Sequence, residues 1–280
     1  MTASIAQLFL YPVKGCRGIE IERATLAATG LEVDGIGDRE WVVVDAEGEF
    51  LSQRELPQMA LIETRVTSTA LRLKAPGMLQ LEVPFASEGD VVNVTVWNDT
   101  VAAVTQGKVA DAWFSRFLGQ PCRLMRFDPE ARRLSNVRYT GATAAPYKFA
   151  DAFALLIAST ASLADLNARL AKRGMAPVGI ERFRPNIVLE GIDAFEEDYV
   201  ERLALGDAEL RVVKPCVRCS VPNVDPATGV AATEPGDTLA IYRDNARAGG
   251  ITFGVNAIVM RGAGCTLAKG DSAGLTIGFG

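Results

Sequence analysis

Short runs of alternating apolar and polar residues, separated by turn formers, govern what this chain can fold into. Side chains along a strand point to opposite faces in turn, so a period of two marks a half-buried strand. In the first half, residues 5–13, 40–45, 60–66, 70–74 and 79–83 read as strands. Residues 91–97 and 100–105 flank Asn98-Asp99, residue types that suit a two-residue hairpin turn. Ala46-Glu47-Gly48-Glu49 is a second turn. An amphipathic helix over about 109–118, stopped by Gly119, closes this half.

Residues 128–150 have little periodicity and read as a long loop near a domain boundary. The second half is expected to open with a helix. Ser159 or Ser162 caps it, Leu163, Leu166 and Leu170 form its apolar face, and Gly174 ends it. Strands follow at 186–190, 202–205, 208–213 and 255–261. Mostly strands with a few helices imply a β-barrel or α+β architecture.

At 280 residues, 49% of them hydrophobic, the chain can bury the core of one or two domains. It contains no histidine, which excludes the common zinc and non-haem iron sites and both Ser-His-Asp and Cys-His catalysis. Any metal must be held by thiolate, by carboxylate, or by ligands that arrive with it. The net charge of −5 gives no reason to expect nucleic acid as a partner. Five cysteines, Cys16, Cys122, Cys216, Cys219 and Cys265, suit free thiols in a reduced compartment. The N-terminus lacks a signal-like pattern, and the apolar runs fall far short of the ~20 residues that span a bilayer. A cytoplasmic protein without a membrane partner is expected.

The sharpest local feature is Lys214-Pro215-Cys216-Val217-Arg218-Cys219, followed by Pro222-Asn223-Val224-Asp225-Pro226. The prolines forbid a continuous helix and put both cysteines on a turn-rich loop leaving a strand. Structural zinc would need a second cysteine pair, and a thioredoxin-like pair would need a helix start. Two small buried apolar residues are the simplest alternative. Arg218 favours a thiolate, because a neighbouring cation stabilises the charged, metal-binding form.

Four segments together resemble the MOSC family with its N-terminal β-barrel domain. They are Tyr11-Pro12-Val13-Lys14-Gly15-Cys16-Arg17-Gly18, Asp38-Arg39-Glu40-Trp41, Phe183-Arg184-Pro185-Asn186-Ile187-Val188 and Cys216-Val217-Arg218-Cys219, in that order. Known members are the mitochondrial amidoxime reducing component, related bacterial reductases and the C-terminal domain of molybdenum cofactor sulfurase. The resemblance implies an α+β, predominantly β chain, with an N-terminal barrel-like domain over 1–122 and a MOSC domain over 123–280. It implies a molybdenum–molybdopterin cofactor with Cys219 as metal ligand and catalytic residue. A soft thiolate suits a metal already held by dithiolene sulfurs. Lys14, Gly15, Arg39 and Arg184 match positions around the anionic pterin and its phosphate. Asp151, Ala152 and Phe153 match a contacting backbone segment, and Val217, Arg218 and Asn256 match the remaining contacts.

The chain departs from the family at two of these positions. Gly15 stands where serine is frequent, and Asn256 where the mitochondrial relatives carry tyrosine. No iron–sulfur cysteine run follows, so no fused cluster is expected, and neither is pyridoxal phosphate. The implied activity is reduction of small N-hydroxylated substrates with electrons from a separate ferredoxin- or flavoprotein-like donor. Its rivals are a cofactor carrier or sulfur-transfer module using a cysteine persulfide, and a binding domain without turnover.

Overall fold

Seven strands close into a barrel in a computed structural model that describes residues 2–86 and 88–278. In closed order they are Leu155–Ser159, Ile187–Glu190, Thr2–Leu10, Ser272–Ile277, Val200–Leu205, Ala208–Val217 and Gly250–Arg261. Leu155–Ser159 closes the ring. It pairs in parallel with Ile187–Glu190 and antiparallel with Gly250–Arg261. All five of its residues are buried. A strand covered on both faces loses its alternation and becomes a continuous apolar run. The second half therefore opens with this strand, and the expected helix, Thr160–Lys172, comes directly after it. Ser159 caps that helix, its hydroxyl accepting from the Ser162 N–H at 3.0 Å, and Leu166 and Leu170 are buried beneath it.

The barrel core joins Ile5, Leu8, Ile157, Ile187, Leu210 and Val255 in one cluster. A second cluster, with Val13, Trp41, Val43, Leu71 and Phe114, fills the first half. There, one sheet runs Val91–Val96, Asp99–Thr105, Arg123–Phe127, Trp41–Val44, and another joins Glu63–Val66, Ala70–Lys74 and Leu81–Pro84. The helix Lys108–Leu118 packs Ala110, Trp113, Phe114 and Leu118 inward, and Gly119 ends it in the left-handed conformation at φ 76°. The two halves exchange strands. Thr2–Leu10 belongs to the barrel, while Thr266–Ala268 pairs with Arg23–Ala27 in a third small sheet. Among the described residues there are four α-helices, and the fold is predominantly β as expected.

Three local expectations are corrected. The hairpin turn is Trp97-Asn98, since Val96 pairs with Asp99. Cys216 lies inside the strand Ala208–Val217, because Pro215 is accommodated where the register with Gly250–Arg261 shifts. The stretch 128–150 is pinned. Arg133, 5% exposed, donates to the Lys148 and Ala150 carbonyls and to Asp99. A four-residue helix, Val137–Thr140, lies within it.

Gly254 shows how tightly the barrel closes. Its φ is 72°, and a Cβ there would approach the Ile157 carbonyl oxygen to 2.6 Å. Gly254→Ala is expected to destabilise the fold by about 1–3 kcal/mol, read as a lowered denaturation midpoint. An unchanged midpoint would contradict this account of the closure.

Candidate functional site

The site is a cleft of about 240 Å³ to which both halves contribute. Lys14 and Gly15 follow the barrel strand Thr2–Leu10, and the Lys14 N–H donates to the Trp41 carbonyl at 2.8 Å. Gly15 adopts φ +84°, and a side chain there would meet Met59, whose Cε lies 2.8 Å from the Cβ position. Arg39 and Arg184 adopt left-handed backbone conformations, φ 48° and 57°. Such conformations are unfavourable for long side chains and concentrate at functional sites.

Every residue expected from the sequence to form the site lines this one cleft: Lys14, Gly15, Arg39, Asp151, Ala152, Phe153, Arg184, Val217, Arg218, Cys219 and Asn256. Lys214 and Cys216, quoted in the motif but given no place in the site, line it too, as do Asn186 and four residues the sequence did not single out, Phe50, Ser52, Gln53 and Arg54. Asn186 was visible inside the quoted motif. It is 1% exposed, and its side-chain oxygen accepts from the Leu156 N–H at 3.1 Å and from Arg39 at 3.3 Å. Gln53, which donates to the Gly15 carbonyl at 2.6 Å, lies in an aperiodic segment that carries no such signal.

The cleft is strongly basic. Lys14, Arg39, Arg54, Arg184, Lys214 and Arg218 line it against a single carboxylate, Asp151, in a chain whose net charge is −5. Lys14 pairs with Asp151 at 2.5 Å, and the Trp97 indole N–H donates to the same oxygen at 2.9 Å. Burial pulls the Lys14 ammonium below the ordinary lysine range, and Asp151 partly offsets this. Arg39 is ion-paired with buried Asp38 and donates to the Arg184 carbonyl at 3.1 Å. Both guanidiniums lie 4.3 Å from the centre of the Tyr11 ring. Burial, and then the nearby Arg39 charge, push Arg184 down to about 10.

Among the described residues that line the cleft, two buried donor atoms have no partner, Arg184 Nη2 and Arg218 Nε. Unsatisfied buried donors are costly, and guanidinium donors make their strongest hydrogen bonds to anions. Arg218 meets the cysteine pair at Cys216. Its Nη1 donates to Cys216 Sγ at 3.1 Å, and its Nη2 to the Phe183 carbonyl at 2.9 Å. Cys219 is the exposed thiol of the cleft, and Cys216 is half-buried. Among the described residues, no three Cys, Asp or Glu side chains gather into a metal-holding group.

The thiols should differ sharply in reactivity. Cys16 is fully buried, and burial pushes its thiol up to about 12, partly countered by Arg184. A maleimide at pH 8 should therefore label Cys219 rapidly in the native protein, and Cys16 and Cys122 only after denaturation. Labelling of Cys16 as fast as Cys219 would show that the buried environment is misassigned.

Comparison with known proteins agrees with the sequence resemblance. Residues 2–121 match the MOSC N-terminal beta barrel domain, and residues 144–273 match the MOSC domain. Mitochondrial amidoxime-reducing component 1 of Homo sapiens is 36% identical over 246 residues, covering 86% of this chain and 72% of that protein. Mitochondrial amidoxime reducing component 2 of Bos taurus is 35% identical with the same coverage of both chains. The barrel, its basic cleft and these matches along nearly the whole described sequence place the chain in the MOSC family, with the MOSC N-terminal beta barrel domain ahead of its MOSC domain.

Proposed function

We propose that this protein binds a molybdopterin-type molybdenum cofactor in the basic cleft, with Cys219 as the protein ligand, and reduces N-hydroxylated compounds. The observation that carries this reading is the meeting of one exposed thiol and six cations from both halves of the chain in a single cleft. The residues fit such a group. Arg39 and Arg184 offer planar donors to phosphate and pterin edges, and Lys14 a point charge. The orphaned donors of Arg184 and Arg218 would gain partners. A lone thiolate suffices when the metal arrives with sulfur ligands of its own.

When bound, the cofactor supplies two-electron exchange at the metal. Removal of the hydroxyl oxygen as water consumes those two electrons and two protons. The protein's share is binding and placement. Arg39 and Arg184 are fixed against Tyr11, Arg218 is fixed by the Phe183 carbonyl, and Asp151 is held by Lys14 and Trp97. A separate ferredoxin- or flavoprotein-like protein would deliver the electrons. Relatives named as amidoxime reducing components support the choice of N-hydroxylated substrates.

Cofactor-loaded protein should oxidise dithionite-reduced methyl viologen when benzamidoxime is added. Cys219→Ala should bring this rate to background, and Arg184→Ala should lower it by about 10–100-fold. Loaded protein that consumes no reductant with several N-hydroxylated substrates, yet carries cyanide-releasable sulfur after incubation with a desulfurase, would replace this reading with sulfur carriage.

A further inference from the structure

The proposed function gives no task to two cleft cations, Arg54 and Lys214, and Arg54 is already paired with Glu55 and set against the Trp97 ring. Lys214 stands two residues before Cys216 on the strand Ala208–Val217, and both line the cleft. Its register partner on the neighbouring strand is Asn256, another lining residue. The other cations nearby are engaged. Lys14 meets Asp151, Arg39 meets Asp38, Arg184 meets the Cys16 carbonyl, and Arg218 meets Cys216 and the Phe183 carbonyl. Among the described residues, no carboxylate pairs with Lys214, and its ammonium makes no hydrogen bond.

Aromatic rings hold it instead. The Lys214 ammonium lies 4.9 Å from the centre of the Tyr139 ring and 5.9 Å from that of Phe153. The two rings meet edge to face, 5.8 Å apart. Tyr139 comes from the short helix Val137–Thr140, which Arg211 ties to the barrel by donating to the Thr140 carbonyl at 2.6 Å. Ser135, just before that helix, donates to the Ala152 carbonyl at 2.8 Å. The long segment 128–150 thus delivers an aromatic wall to a barrel lysine. Arg138 lies on the same Tyr139 ring at 5.7 Å and adds positive potential. Contact with a ring face attracts the ammonium while leaving its N–H donors free for an anion. Phe153 is buried with Ala145 and Ile258, and Tyr139 packs against them, so the rings fix the lysine in place.

We propose that Lys214, set against Tyr139 and Phe153, anchors the substrate and selects N-hydroxylated compounds that carry a carboxylate. This rests on the reductase reading above and adds the charge of the substrate to it. The competing assignment is a further contact to the cofactor's own phosphate. It predicts a different outcome, because loss of that contact would reduce cofactor loading for every substrate alike.

The test compares kcat/KM for 4-carboxybenzamidoxime with that for benzamidoxime in molybdenum-loaded protein, alongside calorimetric binding of 4-amidinobenzoate, the product of the first. Wild type should prefer the carboxylated substrate by about tenfold or more. Lys214→Gln should remove that preference, chiefly through KM, and Lys214→Glu should invert it, with molybdenum content unchanged in both. No preference in wild type, a preference retained in both variants, or loss of molybdenum in Lys214→Gln would each overturn the anchor. If wild type reduces neither compound but binds 4-amidinobenzoate in a Lys214-dependent way, the reductase reading fails and the anchor stands. If 4-amidinobenzoate does not bind either, both fail.

Discussion

Two guanidinium groups held against one tyrosine ring are the interaction around which the cleft is organised. Arg39 and Arg184 come from opposite halves of the chain, yet each lies 4.3 Å from the centre of Tyr11. Like charges brought together in a buried setting raise the energy of both. Asp38, 3% exposed, relieves part of this by pairing with Arg39 and accepting from the Tyr11 backbone N–H at 2.9 Å. Arg184 donates to the Cys16 carbonyl and keeps one buried nitrogen unpartnered. The knot therefore leaves one guanidinium donor without a partner, beside the cleft that both arginines line.

Barrel closure and strand exchange make that knot possible. Thr2–Leu10 carries Tyr11 and Lys14 out of the barrel wall, next to Ile187–Glu190, whose preceding turn supplies Arg184 and Asn186. Leu155–Ser159 shuts the ring on the other side and brings Asp151 and Phe153 to the same rim. Ala208–Val217 and Gly250–Arg261 complete the wall with Lys214, Cys216 and Asn256. Residues more than two hundred positions apart share one cleft because the first strand of the chain is built into the barrel that its end completes.

Much of this was legible in the residues, and the gaps have physical causes. Motifs rich in lysine and arginine stood out because such side chains are rarely fully buried, and the family resemblance is what suggests roles for them around one ligand. Strands with one solvated face were legible through their alternation, as at Ala70–Lys74 and Val91–Val96. Leu155–Ser159 was not, since full burial erases the period that separates strand from helix. The hairpin turn was misplaced by one residue because Trp97 takes a positive φ of 59°, where Gly or Asn is favoured. Phe50, Gln53 and Arg54 reach the cleft from irregular segments, and their placement depends on tertiary contacts that no local pattern encodes.

The central claim is that Cys219 is the protein's ligand to a molybdenum that arrives with its pterin. The most direct measurement is the molybdenum content, by elemental analysis, of wild-type, Cys219→Ala and Cys216→Ala proteins purified from a host competent in cofactor synthesis. The account predicts stoichiometric metal in the wild type, most of it retained in Cys216→Ala, and almost none in a folded Cys219→Ala. Molybdenum absent from the wild type, or equally abundant in Cys219→Ala, would contradict it.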